Sequence, residues 1–261
     1  MLRYFNYLKE HKFWGKTISE FLNWLEYKSN KYFCIIDTET TGLPSDPYEV
    51  QLTQVACIIA RYDFESNKFN EIDSFNKKLK LTQKTLDLIK IPGNRIDAIL
   101  KFNHYHQDGT DYYQEDYTLQ DFFEFIKRFD NPILIIQNAA FDMRYLNTRN
   151  PIVKFDNEVL DTKQILQLFY LPALQKLAES DPNYRKLIDE IGTSDRDQGL
   201  ISSSMGKVGP ALGLNMANYH DALTDIKLTL KMFENVIELL KEYQDLDISK
   251  YQAERIRTKR Y

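Results

Sequence analysis

The chain has only two cysteines in 261 residues, Cys34 and Cys57. Both lie inside apolar, strand-like runs and read as reduced core side chains of a cytoplasmic protein, not as a disulfide framework. No uninterrupted apolar run is long enough to cross a bilayer, so no membrane partner is expected. The opening residues, Met1 to Glu10, lack the apolar core and small-residue cleavage site of a signal peptide. There is no internal repeat. There is also no basic excess: 34 Lys and Arg against 38 Asp and Glu leave a net charge of −4. That argues against a protein that holds an acidic polymer mainly through a broad basic surface.

What is present is a hydrophobic fraction of 43%, sufficient for one sizeable core, so one domain with an appendage is expected. Residues 1–30 read as an N-terminal helical extension, in which Thr17-Ile-Ser-Glu20 has the form of a capping box and Ile18, Phe21, Leu22 and Leu25 share one helical face. The main domain is placed at 31–245. Three strands open it, near 33–37, 54–61 and 72–81, close enough in sequence for an antiparallel meander. Short helices broken at Pro92-Gly93 follow, and the Tyr-rich stretch 103–117 reads as a loop. Leu119, Phe122, Phe123, Ile126 and Phe129 then mark a helix, residues 132–136 a buried strand, a helix starts near Ala140, 158–160 gives a fifth strand and 162–177 another helix. Residues 179–209 read as a polar insertion with a mobile loop. A long helix from Ala222 to Tyr243 turns Ile226, Leu230, Phe233, Ile237 and Leu240 inward. Residues 246–261 form a basic C-terminal helix or tail in which Ser249-Lys-Tyr-Gln252 has capping-box form. Three strands followed by alternating strands and helices imply an α/β fold, a mixed five-stranded sheet with helices on both faces.

The most informative segment is Phe33-Cys-Ile-Ile-Asp37-Thr-Glu39-Thr-Thr-Gly42-Leu43. On a strand, residues two apart share a face, so Asp37 and Glu39 project side by side. Adjacent buried carboxylates resist ionisation unless a cation lies between them, and hard divalent ions such as Mg²⁺ or Mn²⁺ are the fitting partner. Gln137-Asn138-Ala-Ala-Phe141-Asp142 follows a buried strand and places Asp142 at the start of a helix. Tyr219-His220-Asp-Ala-Leu-Thr-Asp225 opens the long helix. Five residues apart on one continuous helix, His220 and Asp225 would diverge by about 140°. If both serve one site, His220 stands on the loop entering the helix.

Taken in order, Asp37-x-Glu39, Asp142 and His220-x4-Asp225 resemble the DEDDh (DnaQ-like) 3′–5′ exonucleases, from about Tyr32 to Phe233. The contexts of all three motifs match, and Val159-Leu-Asp161-Thr162 resembles a strand end common in that superfamily. The tyrosine branch would need Tyr at position 221, where this chain has Asp; Tyr219 is out of register, so the histidine branch is indicated. The resemblance implies an RNase H-like fold and two divalent ions, Mg²⁺ or Mn²⁺. It implies Asp37 as a bridging ligand, Glu39 and Asp225 on the first ion, Asp142 in support, and His220 as general base. It further implies contacts to the terminal nucleotide from Thr40, Thr41, Leu43, Asn138 and Phe141. The activity implied is trimming of single-stranded nucleic acid, DNA before RNA, with release of nucleoside 5′-monophosphates. Alternatives are an exoribonuclease, a proofreading subunit bound to a DNA polymerase, a homodimer, and a non-catalytic nucleic-acid-binding module. With both cysteines read as reduced, the compartment expected is the cytoplasm, the host's if the chain is phage-encoded. Gln137 departs from the His that many relatives carry there, which puts one side contact to substrate in question.

Three further signals read as structural or remain open. His104-Tyr-His106-Gln-Asp108 alternates like a metal site but suits a solvated loop, and Gln164-Ile-Leu-Gln-Leu-Phe169, similar to a clamp-binding peptide, lies in an expected core helix. Arg255, Arg257, Lys259 and Arg260 could contact phosphate or simply stabilise a helix C-terminus.

Overall fold

A computed structural model describes residues 16–258 except 44, 47, 106–111, 150–154 and 195–198. Its centre is one sheet of order β4-β3-β2-β1-β5-β6. β1 (Tyr32–Thr40) pairs antiparallel with β2 (Leu52–Asp63), which pairs antiparallel with β3 (Lys68–Leu79). On its other side β1 runs parallel to β5 (Ile133–Ile136), and β5 parallel to β6 (Val159–Asp161). The sixth strand, β4 (Tyr112–Tyr113), falls within the stretch expected to be loop. Two residues carry no periodicity; Lys80 N–H donating to the Tyr113 carbonyl and the Tyr105–Tyr112 ring stack set it on the sheet edge.

Strand alternation sorts side chains into two cores. Phe33, Ile35, Ala56, Ile58, Ile133 and Ile135 face one, where α1 (Ile18–Lys28) and the long helix α10 (Ala222–Glu242) pack. Cys34, Ile36, Cys57, Ile59, Leu134 and Ile136 face the other, against α4 (Glu115–Lys127) and α5 (Asp142–Arg149). Both cysteines are free and buried. The α1 helix starts with the expected capping box between Thr17 and Glu20 and buries Ile18, Phe21, Leu22 and Leu25. At about 1.5–3 kcal/mol for each such side chain, together with Trp24 and Lys28 donating to Glu158 at 3.2 and 2.8 Å, this helix belongs to the main core.

The short helices expected around Pro92-Gly93 are α2 (Gln83–Ile89) and α3 (Ile96–Phe102). After β6 come α6 (Thr162–Ile165), a π-helical turn (Leu166–Tyr170) and α7 (Leu171–Leu177). Ile165, Leu166 and Phe169 are buried here, so the clamp-like peptide is core. The expected insertion 179–209 is more ordered than its polarity suggests. It contains α8 (Pro182–Ile191) and α9 (Met205–Ala211), and Ser202 and Ser203 are buried. Asp181 caps α8 by accepting from Asn183 N–H at 2.8 Å, with Pro182 at the first helical position.

The last helix, α11 (Ser249–Thr258), is not closed by Gln252 as its sequence suggested. Asp247 accepts from Ser249 N–H, and Gln252 instead donates to the Leu168 carbonyl of the π turn at 2.6 Å. Arg255 is buried, its guanidinium on the Ile201 carbonyl at 3.3 Å. The side chain of Arg257, together with His106, Asp108, Lys259 and Arg260, lies outside the described residues. Among those described, no helix is long and apolar enough to cross a membrane.

Candidate active site

The site forms where β1 changes from antiparallel to parallel pairing, at the carboxyl ends of β1, β5 and β6, the position at which open α/β sheets hold ligands. The register aligns Ile36 with Ile136 and Ile136 with Asp161, so Asp37, Gln137 and Asp161 stand at neighbouring levels. Asp37 and Glu39 are on the last turn of pleat of β1, Asp142 opens α5, and Asp225 lies in the first turn of α10. All four carboxylates line one cleft of about 450 Å³, with His220. Ligand atoms of Glu39, His220 and Asp225 lie within 4.8 Å of one another.

Each acid is held by named neighbours. Asp142 Oδ1 accepts from Thr38 N–H at 2.9 Å and the Thr38 hydroxyl at 2.7 Å, which ties α5 to β1. Asp225 Oδ1 accepts from His220 N–H at 3.1 Å. Asp221 is the N-cap of α10, so His220 precedes the helix, at φ +71°. The chain therefore forms the loop histidine expected if His220 and Asp225 share one site. Gln54 joins this corner to the sheet: its carbonyl accepts from Ala222 N–H at 3.2 Å and its amide donates to Asp221 at 3.1 Å.

The electrostatics are those of buried, mutually repelling carboxylates. Burial lifts Asp37 well above the usual carboxylate range, with Asp142, Glu39 and Asp225 adding repulsion. Glu39 is raised likewise by burial and by Asp225 and Asp142, against a weak opposing pull from Lys78. Burial pushes Asp142 up to about 7 despite its bonds from Thr38, and Asp225 up to about 7 despite the His220 amide. His220 moves down, first through burial and then through His104. The imidazole is thus neutral near pH 7 and able to accept a proton.

Of the residues expected to meet substrate, Thr40, Leu43, Asn138 and Phe141 line the cleft. Thr41 does not. It is fully buried, its N–H donates to the Gln51 carbonyl and its hydroxyl accepts from Gln51 N–H, both at 2.9 Å. Gly42 beyond it leaves room for the Asp46 carboxylate and the Tyr48 hydroxyl, which a Cβ there would crowd. Asp161 is the hidden support of the second motif. Its carboxylate accepts from Asn138, Ala139 and Lys163 N–H at 3.1, 3.2 and 3.0 Å, which holds Asn138 at φ +66°. Gln137 also lines the cleft, accepting from the Thr162 hydroxyl and donating to the Ser203 carbonyl.

The sequence reading missed Arg95, Phe102, Asn103, Lys163 and Ser204, which also line the cleft. They arrive from α3, α6 and the segment before α9, with no motif to mark them. His104 of the suspected metal pattern pairs its Nε2 with the Tyr219 carbonyl at 3.2 Å.

Sheet order and flanking helices define an RNase H-like α/β fold. No protein-family model matches the chain, and no curated protein matches it in sequence. Solved structures do match. A structure of exonuclease I aligns over 85% of this chain and 43% of its own length, with TM-score 0.56 and 17% identity. E. coli exonuclease I in complex with a dT13 oligonucleotide aligns over 79% and 41%, with TM-score 0.54 and 20% identity. The complex of exonuclease I with SSB-Ct aligns over 85% and 43%, with TM-score 0.53 and 18% identity. This chain therefore spans about two-fifths of those proteins, and at such identity the likeness is one of fold.

Proposed function

We propose that the chain is a metal-dependent 3′–5′ exonuclease of the DEDDh type, acting on single-stranded DNA ends and releasing nucleoside 5′-monophosphates. The observation that carries this reading is the meeting of Asp37, Glu39, Asp142 and Asp225 in one cleft with a loop histidine, His220, beside them. Four buried carboxylates with raised proton affinity, packed close enough to repel one another, are a donor set suited to hard divalent cations. Asp37, Glu39, Asp142 and Asp225 would hold two such ions, Mg²⁺ or Mn²⁺. Bound there, the ions supply Lewis-acid neutralisation of the scissile phosphate and bring the acidity of the attacking water near neutral.

The protein's own part is positioning and proton transfer. His220, neutral because burial lowers its proton affinity, takes the proton of the attacking water. Thr40, Leu43, Asn138 and Phe141 border the space for the terminal nucleotide. The oligonucleotides bound to E. coli exonuclease I are deoxy, which supports DNA as the first substrate to test.

The test is a gel assay on matched 5′-labelled single-stranded DNA and RNA with Mg²⁺, Mn²⁺ or EDTA. The expected result is a metal-dependent ladder shortening from the 3′ end, faster on DNA and absent in Asp37→Ala. His220→Ala should lose about 10²–10⁴-fold in turnover and keep a near-native Mn²⁺ titration isotherm. No cleavage of either polymer, or near-normal turnover in the His220 variant, would overturn the corresponding part.

A further inference from the structure

The imidazole of His220 packs against two rings, neither of which belongs to a motif. Its centroid is 4.1 Å from that of Phe102 and 3.9 Å from that of Tyr219, with planes tilted by 37° and 40°. Phe102 is the last residue of α3, and the next two residues fasten that helix end to the site. Asn103 donates its side-chain amide to the Thr40 carbonyl at 3.2 Å, at the end of β1. His104 meets the carbonyl of Tyr219. Phe102 itself is 61% exposed, a large apolar side chain at the cleft wall and outside either sheet core.

A histidine on a loop, at a left-handed φ of +71°, has no helix or strand to fix its χ angles. A general base contributes only when it is held within hydrogen-bond reach of the proton it takes. Contact with a neighbouring ring restricts the imidazole without competing for either nitrogen, which a hydrogen-bonding neighbour would do. We propose that Phe102 is a positioning residue that orients the His220 imidazole toward the acidic cluster. The proposal rests on the reading of His220 as the base, and it assigns α3, which no motif marks, a part in the chemistry.

The experiment compares Phe102→Ala, Phe102→Tyr and the wild type on single-stranded DNA with Mn²⁺. The side chain is mostly exposed, so truncation leaves both cores intact, and an unchanged melting temperature checks this. Phe102→Ala should lower kcat about tenfold with KM within about twofold, and Phe102→Tyr should restore kcat. A raised KM at unchanged kcat would make Phe102 a surface for substrate stacking and overturn the proposal, as would no change in either constant. A second readout needs no turnover. The ring protons of His220, one of four histidines and assigned with His220→Ala, should be displaced in the NMR spectrum by the neighbouring rings. They should move toward the position of an exposed histidine in Phe102→Ala. Resonances that stay in place overturn the proposal even if the chain cleaves nothing, whereas an inactive wild type with shifting resonances fails the exonuclease reading alone.

Discussion

Removing the carboxylate of Asp161 should destabilise the protein more than removing any of the acids it supports. Asp161 is buried and takes three backbone N–H donors, from Asn138 and Lys163 on Oδ1 and from Ala139 on Oδ2. Asp161→Ala strands those donors. The lost cap of α6 costs about 1 kcal/mol, and each of the two motif amides left without a partner costs about 1–3 kcal/mol. Against this, the substitution relieves the burial that already raises the proton affinity of Asp161. The net expectation is a loss of about 3 kcal/mol. Asp161→Asn keeps the oxygen facing Asn138 and Lys163 and loses only the bond from Ala139, so about 1–2 kcal/mol is expected. Urea unfolding at pH 8, read as midpoint shifts at constant m, should rank wild type, Asn variant and Ala variant in that order. Because Asn138 is held at positive φ by this carboxylate, the Ala variant should also bind Mn²⁺ more weakly. An Ala variant as stable as the Asn variant, or within about 1 kcal/mol of wild type, would refute the assignment of Asp161 as the support of the turn.

The acidic cluster makes a second, pH-dependent prediction. Asp142 and Asp225 have folded-state values of about 7 against ordinary values of 3.8. Between about pH 4 and 7 the folded protein binds more protons than the unfolded chain, so metal-free stability falls as pH rises through that window. Mn²⁺ should restore it at pH 8 and do little at pH 4.5; thermal melts that respond equally at both would reject the argument. Asp37→Asn removes one of the mutually repelling carboxylates and should raise metal-free stability by about 1 kcal/mol or more while abolishing Mn²⁺ stabilisation, and a destabilised metal-free variant would count against it. Gln54→Ala should cost about 1–3 kcal/mol by stranding Ala222 N–H at the start of α10, measurable as a shift in the urea midpoint.

Local chemistry was readable wherever a pattern repeats or a spacing constrains. A continuous apolar run ending at Asp37 marked β1, an apolar stripe marked α10 to within a residue, and the five-residue separation of His220 from Asp225 required a loop histidine if both were to serve one site. These are near-neighbour constraints of the backbone, so the residues themselves determined them. The strand pair Tyr112–Tyr113 is too short to carry a period and is set by its pairing with β3 and by Lys80 N–H on the Tyr113 carbonyl. Within 179–209 the helix α8 does carry one, Tyr184, Leu187, Ile188 and Ile191 behind the Asp181-Pro182 start, but the polarity of the whole stretch masked it. The residues between α8 and α9 are held by Arg255 and Gln167, distant in the chain, which bind Ile201 and Ser203. The same division runs through the site. Asp37 and Glu39 were legible as a pair because strand geometry puts them on one face, and Asp142, His220 and Asp225 joined them through the resemblance of their motifs to a known family. That they enter one cleft, that Thr41 is turned away from it, that Asp161 holds the second motif and that Phe102 lies on His220 depended on tertiary packing. Contacts between residues far apart in sequence leave no periodicity in the chain, and only the assembled sheet brings them within reach of one another.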